Sequence, residues 1–402
     1  MRVALLTYRG NPFCGGQGVY VRHLSRELVR LGHSVDVLSG PPYPTLDDGV
    51  RLVEVPSLDL YREPDPFRVP RLREYRDWVD VLEVATMMTA GFPEPLTFSL
   101  RVRRLLRARR DHYDVVHDNQ CLGYGLLRLG LPLVTTVHHP VQIDRDLELA
   151  SATGWRRLSL RRWYGFTRMQ RRVAPRLARV VTVSESSRDQ IVSLLGVPAP
   201  RVEVIPIGTD ADLFSPDPAV VRVPGRVVTT ASADVPLKGL LPLVEAVAKV
   251  RTERPVELVV VGSLRAGGPV AAAIANLGLS DVVRFAGRLP HDELVGELRR
   301  AELAVVPSLH EGFSLPLVEA MACGTPVVAT TGGALPEVAG DAAVLVPPGD
   351  VSALATALSQ TLADPALQAR LSVAGRARVV ERFTWRAAAL RTVEVYRRAV
   401  SC

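Results

Sequence analysis

The chain has 402 residues, of which 47% are hydrophobic and 23% are charged, and its formal net charge is +7. This length predicts two domains, and the ordinary composition excludes a disordered or fibrous protein. The apolar run after Met1 is too short for a signal peptide, and no later run reaches the ~18 residues of a membrane-spanning helix. We therefore expect a cytoplasmic protein.

A strand, a glycine-rich loop and an amphipathic helix open the chain. Residues 2–7 form a predicted strand, residues 10–18 are rich in glycine, and apolar residues between 19 and 31 recur with a helical period. A second predicted strand at residues 34–38 completes a βαβ unit, which is typical of a parallel sheet. Further strands of this half are predicted at residues 113–117, 133–137, 180–183 and 202–208.

A second series of alternating strands and helices follows residue 208. Its predicted strands are residues 226–230, 257–261, 282–285, 304–306 and 326–329. We therefore predict an α/β fold with two tandem doubly wound, Rossmann-like domains, residues 1–207 and 208–383. Residues 384–402 are predicted to form a final helix that packs back on the first domain. Because such sheets bind ligands at the carboxyl ends of their strands, we expect the site in a cleft between the domains.

Residues 310–329 read as a strand-end loop, a helix and another strand. Ser314 is a predicted N-cap and Pro316 suits the first helical turn. Glu311 and Glu319 are eight residues apart, ~12 Å along a helix, which suits a ligand with a diphosphate between two hydroxyl-bearing rings. Backbone amides at the start of this helix would form an anion site. These amides belong to Gly312, Phe313, Ser314 and Leu315.

This segment resembles the Glu-x7-Glu motif of retaining glycosyltransferase family 4, and the resemblance spans essentially the whole chain. It implies a GT-B fold, in which two Rossmann-like domains face a central cleft. In that family the first Glu approaches the hydroxyls of the donor sugar, and the second binds the ribose of the nucleotide. These roles would fall to Glu311 and Glu319; the alternative is an ordinary surface Glu and an ordinary helix Glu.

The family usually places an Arg and a Lys on the donor diphosphate. Lys238 matches the Lys, but Ser232 stands where the Arg is expected. A hydroxyl can donate a hydrogen bond to phosphate but cannot neutralise its charge. Either Arg288 replaces the missing cation or Lys238 carries more of the task; the alternative for Lys238 is a solvated lysine at a helix start.

The loop between the first strand and the first helix contains Gly15 and Gly16. Glycines let the backbone approach a phosphate closely, and their place matches the family's Gly-Gly loop, which reaches the donor phosphates. The loop lacks the full Gly-x-Gly-x-x-Gly pattern, so an NAD site is disfavoured.

Three histidines follow or end predicted strands of the first half. The family commonly has a His near the donor sugar after the strand that matches residues 133–137. His138 is therefore the first candidate for this role, and His139 and His117 are the second and third candidates. A structural role is the alternative for each of them.

Two Asp-x-Asp strings could hold Mg²⁺ or Mn²⁺, at Asp144 with Asp146 and at Asp210 with Asp212. Strings this short occur by chance, so we expect no catalytic metal and no cofactor besides the nucleotide sugar. The cysteines are widely separated, which predicts free thiols in a reducing compartment. They are Cys14, Cys121, Cys323 and Cys402.

The positive charge lies in the first half of the chain. Residues 1–205 carry 30 Arg and no Lys against 22 acidic residues, a net charge of +8, whereas residues 206–402 sum to −1. The segment from Trp155 to Arg179 holds nine Arg and no acid beside four large aromatic residues. Such a segment can lie on an anionic membrane or form a solvated face. Nucleic acid is disfavoured because no recognition module is visible.

These observations predict a metal-independent, retaining hexosyltransferase of glycan or glycolipid biosynthesis. Its donor would be a nucleoside-diphosphate sugar, with UDP-sugars ahead of GDP-mannose, and its acceptor a hydroxyl of a lipid, a small molecule or a polysaccharide. If the basic segment docks on lipid, the enzyme would be peripheral on the inner face of the membrane. Two alternatives are a sugar-nucleotide 2-epimerase of the same fold and a non-catalytic nucleotide-sugar-binding protein, which the departure at Ser232 suggests.

Overall fold

The computed structural model describes residues 1–10, 16–62, 64–231 and 235–401. The chain divides into two compact units. The first comprises Met1–Ile205 and Ala388–Cys402, and the second comprises Pro206–Ala387. Gly15 and Ser232, both predicted to contact the donor, lie outside the described residues.

The first unit is built on a seven-stranded parallel sheet with the order β3-β2-β1-β4-β5-β6-β7. The strands are β1 Arg2–Thr7, β2 Ser34–Ser39, β3 Val50–Glu54, β4 Val115–Asn119, β5 Leu133–Thr136, β6 Arg179–Thr182 and β7 Val202–Val204. The helices are α1 Gly16–Arg30, α2 Trp78–Met88, α3 Glu94–Ala108, α4 Gln142–Ser151, α5 Gly154–Trp163, α6 Thr167–Val173 and α7 Glu185–Gln190. Five of the six residues of β1 are buried, as expected for a parallel strand covered on both faces.

The second unit has a six-stranded parallel sheet with the order β10-β9-β8-β11-β12-β13. The strands are β8 Val223–Thr230, β9 Glu257–Val261, β10 Val283–Gly287, β11 Ala301–Val306, β12 Val327–Thr330 and β13 Val344–Val346. The helices are α8 Leu240–Arg251, α9 Pro269–Asn276, α10 His291–Arg300, α11 Leu315–Ala322, α12 Leu335–Ala339, α13 Val351–Ala363 and α14 Pro365–Arg382. The predicted α/β fold with two doubly wound sheets is thus confirmed.

The last helix, α15 Trp385–Val400, begins in the second unit, and from Ala388 onward it belongs to the first. Tyr396 on this helix has no exposed surface. Arg398 donates two hydrogen bonds to the carboxylate of Glu203, at 2.6 and 2.8 Å, which ties the end of α15 to the strand β7.

Two features of the first unit depart from the sequence prediction. The predicted strand 113–117 is in fact β4, which continues through His117 and Asp118 to Asn119, and all five of its residues are buried. The prediction ended this strand at His117 because Asp118 and Asn119 are polar, but their side chains are hydrogen-bonded inside the unit rather than solvated. Helix α2 was not predicted because it exposes Trp78 and Met88, which blurs its apolar period.

No helix among the described residues is long and apolar enough to cross a bilayer. Cys121 and Cys323 are buried free thiols, as predicted; the other two cysteines lie outside the described residues.

Candidate active site

Two neighbouring strands of the second sheet bring Lys238 and Glu311 together. Lys238 ends a short 3-10 turn after β8, and Glu311 follows β11, the strand next to β8. Lys238 Nζ donates to Glu311 Oε1 at 2.7 Å, and Ser308 Oγ donates to the same oxygen at 2.7 Å. The structure therefore joins two of the predicted donor residues, which are 73 positions apart in the sequence.

The backbone around this pair is tightly held. Leu309 N donates to Leu237 O at 2.7 Å, which ties the two strand-end loops to each other. Gly239 has a φ of +65°, and a Cβ on it would lie 1.9 Å from the carbonyl oxygen of Pro307. Only glycine fits so close an approach. The backbone that carries Glu311 and Lys238 is therefore fixed by these contacts.

The backbone at Gly333 packs closely against that of Glu311, and the sequence analysis did not identify this glycine. Its φ is +63°, and a Cβ would lie 2.3 Å from Glu311 O. Ala334 N donates to that same oxygen at 2.9 Å. The signal was the pair Gly332 and Gly333, which follows the predicted strand 326–329 after two intervening residues, near the place where a parallel strand ends.

Ser314 occupies the N-cap position of α11, but its hydroxyl caps nothing. Its φ is +91°, no side-chain cap hydrogen bond forms, and the buried Oγ has no partner among the described residues. The predicted N-cap position is therefore correct, but capping by the serine hydroxyl is not observed. A non-glycine residue at such a φ costs ~1–3 kcal/mol and persists only where its surroundings impose it.

The residues around Ser314 differ in exposure. Phe313 is buried and packs edge-to-face on Phe383, with ring centroids 5.5 Å apart, and so anchors the start of α11. Gly312 and Leu315 are half-buried. The structure thus places the four predicted amide donors at the start of a regular eight-residue helix.

Glu319 lies on the second turn of α11, where its half-buried carboxyl has a pKa raised to about 7 by burial. None of the described groups donates a hydrogen bond to this carboxylate. A partly buried acceptor without donors is unfavourable, and the hydroxyls of a ligand would satisfy it. The ribose-binding role that the resemblance implies for Glu319 stays a prediction.

His138 of the first unit follows β5 and is held on several sides. Its Nε2 lies 2.8 Å from Asn119 Oδ1, and its backbone N donates to Gln120 Oε1 at 2.7 Å. Asn119 Nδ2 donates to Gln17 O at 3.3 Å, which turns Oδ1 towards His138. Nε2 of His138 is therefore the protonated nitrogen and Nδ1 is an acceptor. Burial, and secondarily the charge of His139, lowers the pKa of His138 to about 3, so the ring is neutral.

The other two histidines have different surroundings. His139 is partly exposed, and its Nε2 lies 2.8 Å from Asp144 Oδ2. His117 has no exposed surface; its Nδ1 lies 2.5 Å from Tyr396 OH and its Nε2 lies 2.7 Å from Thr136 Oγ1. With both nitrogens engaged, His117 offers nothing to a ligand, which contradicts its place among the predicted ligand contacts.

The remaining candidates are Arg288 and the Asp pairs. Arg288 is exposed and follows β10, which β9 separates from β8, so the structure does not bring it to Lys238. Asp146 pairs with its neighbour Arg145 at 2.8 Å. Among the described residues, no three His, Cys, Asp or Glu side chains are grouped as a metal would need.

The basic segment, residues 155–179, presents a mixed surface. Helix α5 within it has no buried residue, and Trp155 is 82% exposed. Trp163 instead packs among other rings, with centroids 5.1 Å from Phe92 and 5.6 Å from Tyr61. Arg162 donates to Thr89 Oγ1 at 2.7 Å, which joins α5 to the end of α2.

Comparisons with known proteins agree with this architecture. Residues 14–213 match the model of Glycosyltransferase Family 4, and residues 224–364 match that of Glycosyl transferases group 1. The MMP alpha-(1->4)-mannosyltransferase of Mycolicibacterium hassiacum is 53% identical over 100% of this chain and 99% of its own length. The D-inositol 3-phosphate glycosyltransferase of Kineococcus radiotolerans is 31% identical over 99% of this chain and 95% of its own.

Solved structures share the fold over nearly the full length. Sucrose-phosphate synthase from Thermosynechococcus elongatus superposes with a TM-score of 0.75 and 25% identity, covering 100% of this chain and 99% of its own. Anabaena HepE in complex with UDP-glucose gives a TM-score of 0.69 at 18% identity, covering 98% and 99%. The chain belongs to glycosyltransferase family 4 and is a glycosyltransferase with the GT-B fold.

Proposed function

We propose that this protein is a retaining α-mannosyltransferase that transfers mannose from a nucleoside-diphosphate mannose to a saccharide hydroxyl. The name of the mannosyltransferase that is 53% identical supports both the sugar and the α-linkage. Sequence reasoning placed uridine before guanosine; a mannosyl donor reverses that order, since GDP-mannose is the usual activated form of mannose. An inositol phosphate is the second candidate acceptor, from the name of the relative that is 31% identical.

The ion pair of Lys238 and Glu311 carries the proposal. A lysine 2.7 Å from a carboxylate at the end of a central strand has a partner that a diphosphate can replace. On donor binding, the ammonium would turn to the phosphate oxygens and neutralise the charge that develops as the diphosphate leaves. Glu311 would then be free to accept a hydrogen bond from a sugar hydroxyl. Glu319 would accept hydrogen bonds from the ribose.

Retention follows from attack on the face from which the diphosphate departs. The bond between the anomeric carbon and the phosphate oxygen breaks, the acceptor oxygen bonds to that carbon, and the departing phosphate oxygen takes the acceptor proton. Neutral His138, with Nδ1 as an acceptor, would hold a substrate hydroxyl and forms no covalent intermediate. Each side chain in this scheme orients a substrate or stabilises charge.

Cationic and amide groups rather than a metal ion would offset the diphosphate charge. We therefore expect transfer to persist in excess EDTA, with unchanged rate after removal of trace metal. Loss of activity in EDTA and its recovery with Mn²⁺ would contradict this and direct attention to Asp144 and Asp146.

The deciding experiment incubates the protein with GDP-mannose, GDP-glucose, UDP-glucose or UDP-mannose, each with and without a panel of mannosides and inositol phosphates. We expect transfer from GDP-mannose, and the anomeric proton–carbon coupling of the product should show an α-linkage. Epimerised nucleotide sugar without acceptor would identify the 2-epimerase. Binding with no turnover of any donor would identify a binding protein.

A further inference from the structure

We propose that Tyr396, on the last helix, is a positioning residue for His138 that acts through His117, Thr136 and Tyr20. The inference rests on the proposed function to the extent that His138 holds a substrate hydroxyl. It adds a role for the chain terminus, which lies 258 positions beyond His138 in the sequence.

Four side chains form one continuous chain of hydrogen bonds. Tyr396 OH lies 2.5 Å from His117 Nδ1, and His117 Nε2 lies 2.7 Å from Thr136 Oγ1. Thr136 Oγ1 in turn lies 3.0 Å from Tyr20 OH. The ring of Tyr20 stands nearly perpendicular to that of His138, at 84°, with centroids 4.8 Å apart. Through this ring contact, the hydrogen-bonded side chains reach His138 of the candidate site.

All four members of the chain are buried, which makes their geometry rigid. Tyr396, His117 and Thr136 have no exposed surface, and Tyr20 is almost fully covered. In a medium of low dielectric constant, each polar atom must keep its partner, so displacement of one member displaces the next. Burial lowers the pKa of His117 to about 3 and raises that of Tyr20, so these hydrogen-bonded side chains stay neutral near physiological pH.

The positions of Thr136 and Tyr20 explain why loss of the Tyr396 hydroxyl would affect the orientation of His138. Thr136 is the last residue of β5, two positions before His138, and Tyr20 lies on α1. His138 is therefore bounded by its strand, by Asn119 and by the Tyr20 ring. Removing the Tyr396 hydroxyl leaves one nitrogen of His117 without its partner and releases the chain that orients Tyr20.

The test compares Tyr396→Phe with Thr392→Val, a matched control on the same helix. Thr392 is equally buried, but its hydroxyl donates to Ala388 O at 2.8 Å and is outside the chain. We expect Tyr396→Phe to lower kcat by about tenfold or more with an unchanged KM for the donor, as a misplaced catalytic contact does. Tyr20→Phe, which keeps the ring, should act in the same way, and the double variant should be no worse than either single one.

A second measurement does not depend on activity. In the ligand-free, ¹⁵N-labelled protein, Tyr396→Phe should shift the imidazole resonances of His138 but leave those of His291 in place, and Thr392→Val should shift neither. Unchanged His138 resonances overturn the positioning role, and a shift with unchanged kcat overturns its part in the reaction. If the wild-type protein transfers nothing while the resonances shift, the proposed function fails and the coupling stands. Tyr20→Phe provides the same readings should Tyr396→Phe not fold.

Discussion

Lys238 and Lys249 are the two lysines among 49 basic residues, and their surroundings differ. Lys249 lies on α8 and donates to Ser352 Oγ at 2.8 Å, whereas Lys238 meets Glu311 at a strand end. A compact ammonium on a flexible stem can leave a carboxylate for a phosphate without the fixed fork geometry of arginine. With Arg288 away from β8, Lys238 is the cation that the described residues place at this strand end.

Replacing Lys238 by Gln should therefore lower kcat by about 10²–10³-fold, the usual cost of losing one group that stabilises transition-state charge. Lys249→Gln is the matched control and should transfer sugar at the wild-type rate. Steady-state kinetics with GDP-mannose checks both. Equal rates for the two variants would refute a role for Lys238 in neutralising the diphosphate.

Glu319 should make nucleotide affinity depend on pH. Its pKa is raised to about 7 in the free protein, and hydroxyl donors from a ribose would favour the charged form and lower that pKa. Affinity for GDP should therefore be full above pH 7 and fall as the pH drops through 7. Calorimetry at pH 6 and pH 8 measures the change.

Glu319→Gln is the control for this dependence. It should weaken GDP binding by ~1–3 kcal/mol at pH 8, as expected when a charge-assisted hydrogen bond is lost. It should also retain only the pH dependence that comes from the nucleotide phosphate itself. A wild-type dependence no steeper than that of the variant would count against the ribose contact.

Among the secondary structure elements, α11 shows how the site is assembled. Its first turn starts from a serine with a φ of +91°, is anchored by Phe313 on Phe383, and carries Glu319 one turn further on. The strained residue, the anchor and the acid all belong to one stretch of nine residues, 311–319. Strain of this kind is retained where neighbouring structure imposes it, and functional sites are a common place for it.

Two substitutions at Ser314 separate the strain from the hydroxyl. Ser314→Ala removes the hydroxyl and keeps the strain, whereas Ser314→Gly removes both, because glycine adopts a positive φ at little cost. We expect the Gly variant to be more stable than the Ala variant by ~1 kcal/mol. Thermal unfolding of the two proteins side by side checks this, and an Ala variant of equal or greater stability would show that the backbone is unstrained.

For the whole molecule, the dominant feature is the uneven charge: the first half carries +8 and the second −1. Exposed Trp155 and the arginines of α5 lie in the basic half, and α2, joined to α5 through Arg162, exposes Trp78 and Met88. An enzyme with a lipid-linked acceptor could dock through this surface, and one with a soluble acceptor has no need to.

Vesicle binding distinguishes these cases. If the acceptor is lipid-linked, co-sedimentation with anionic vesicles should be strong at low salt and weak at physiological ionic strength, where charges act over ~8 Å. Replacing Arg156, Arg157 and Arg161 by Gln should reduce it without changing donor affinity. The control replaces exposed arginines of the second half, Arg265, Arg370 and Arg386. Wild-type protein that ignores the vesicles at low salt would identify the basic segment as a solvated face.

Sequence periodicity was sufficient for the fold class. Apolar strands that alternate with amphipathic helices allow few arrangements other than parallel sheets covered on both faces, and both observed sheets are of this kind. The same reasoning missed β13, which has only three residues, and β3, an edge strand, since short or edge strands carry little apolar signal. The prediction ended β4 two residues early because Asp118 and Asn119 are polar although they are buried.

The sequence by itself determined which residue types stand at strand ends and the eight-residue spacing of Glu311 and Glu319. Tertiary structure alone decided which of these residues meet. Strand order places β8 beside β11, and so Lys238 beside Glu311, and no local period encodes that order. It also decided that His117 is an interior residue tied to Tyr396, because burial depends on which helix covers a strand. A parallel sheet joins distant segments, so its contacts depend on the order of its strands rather than on their sequences alone.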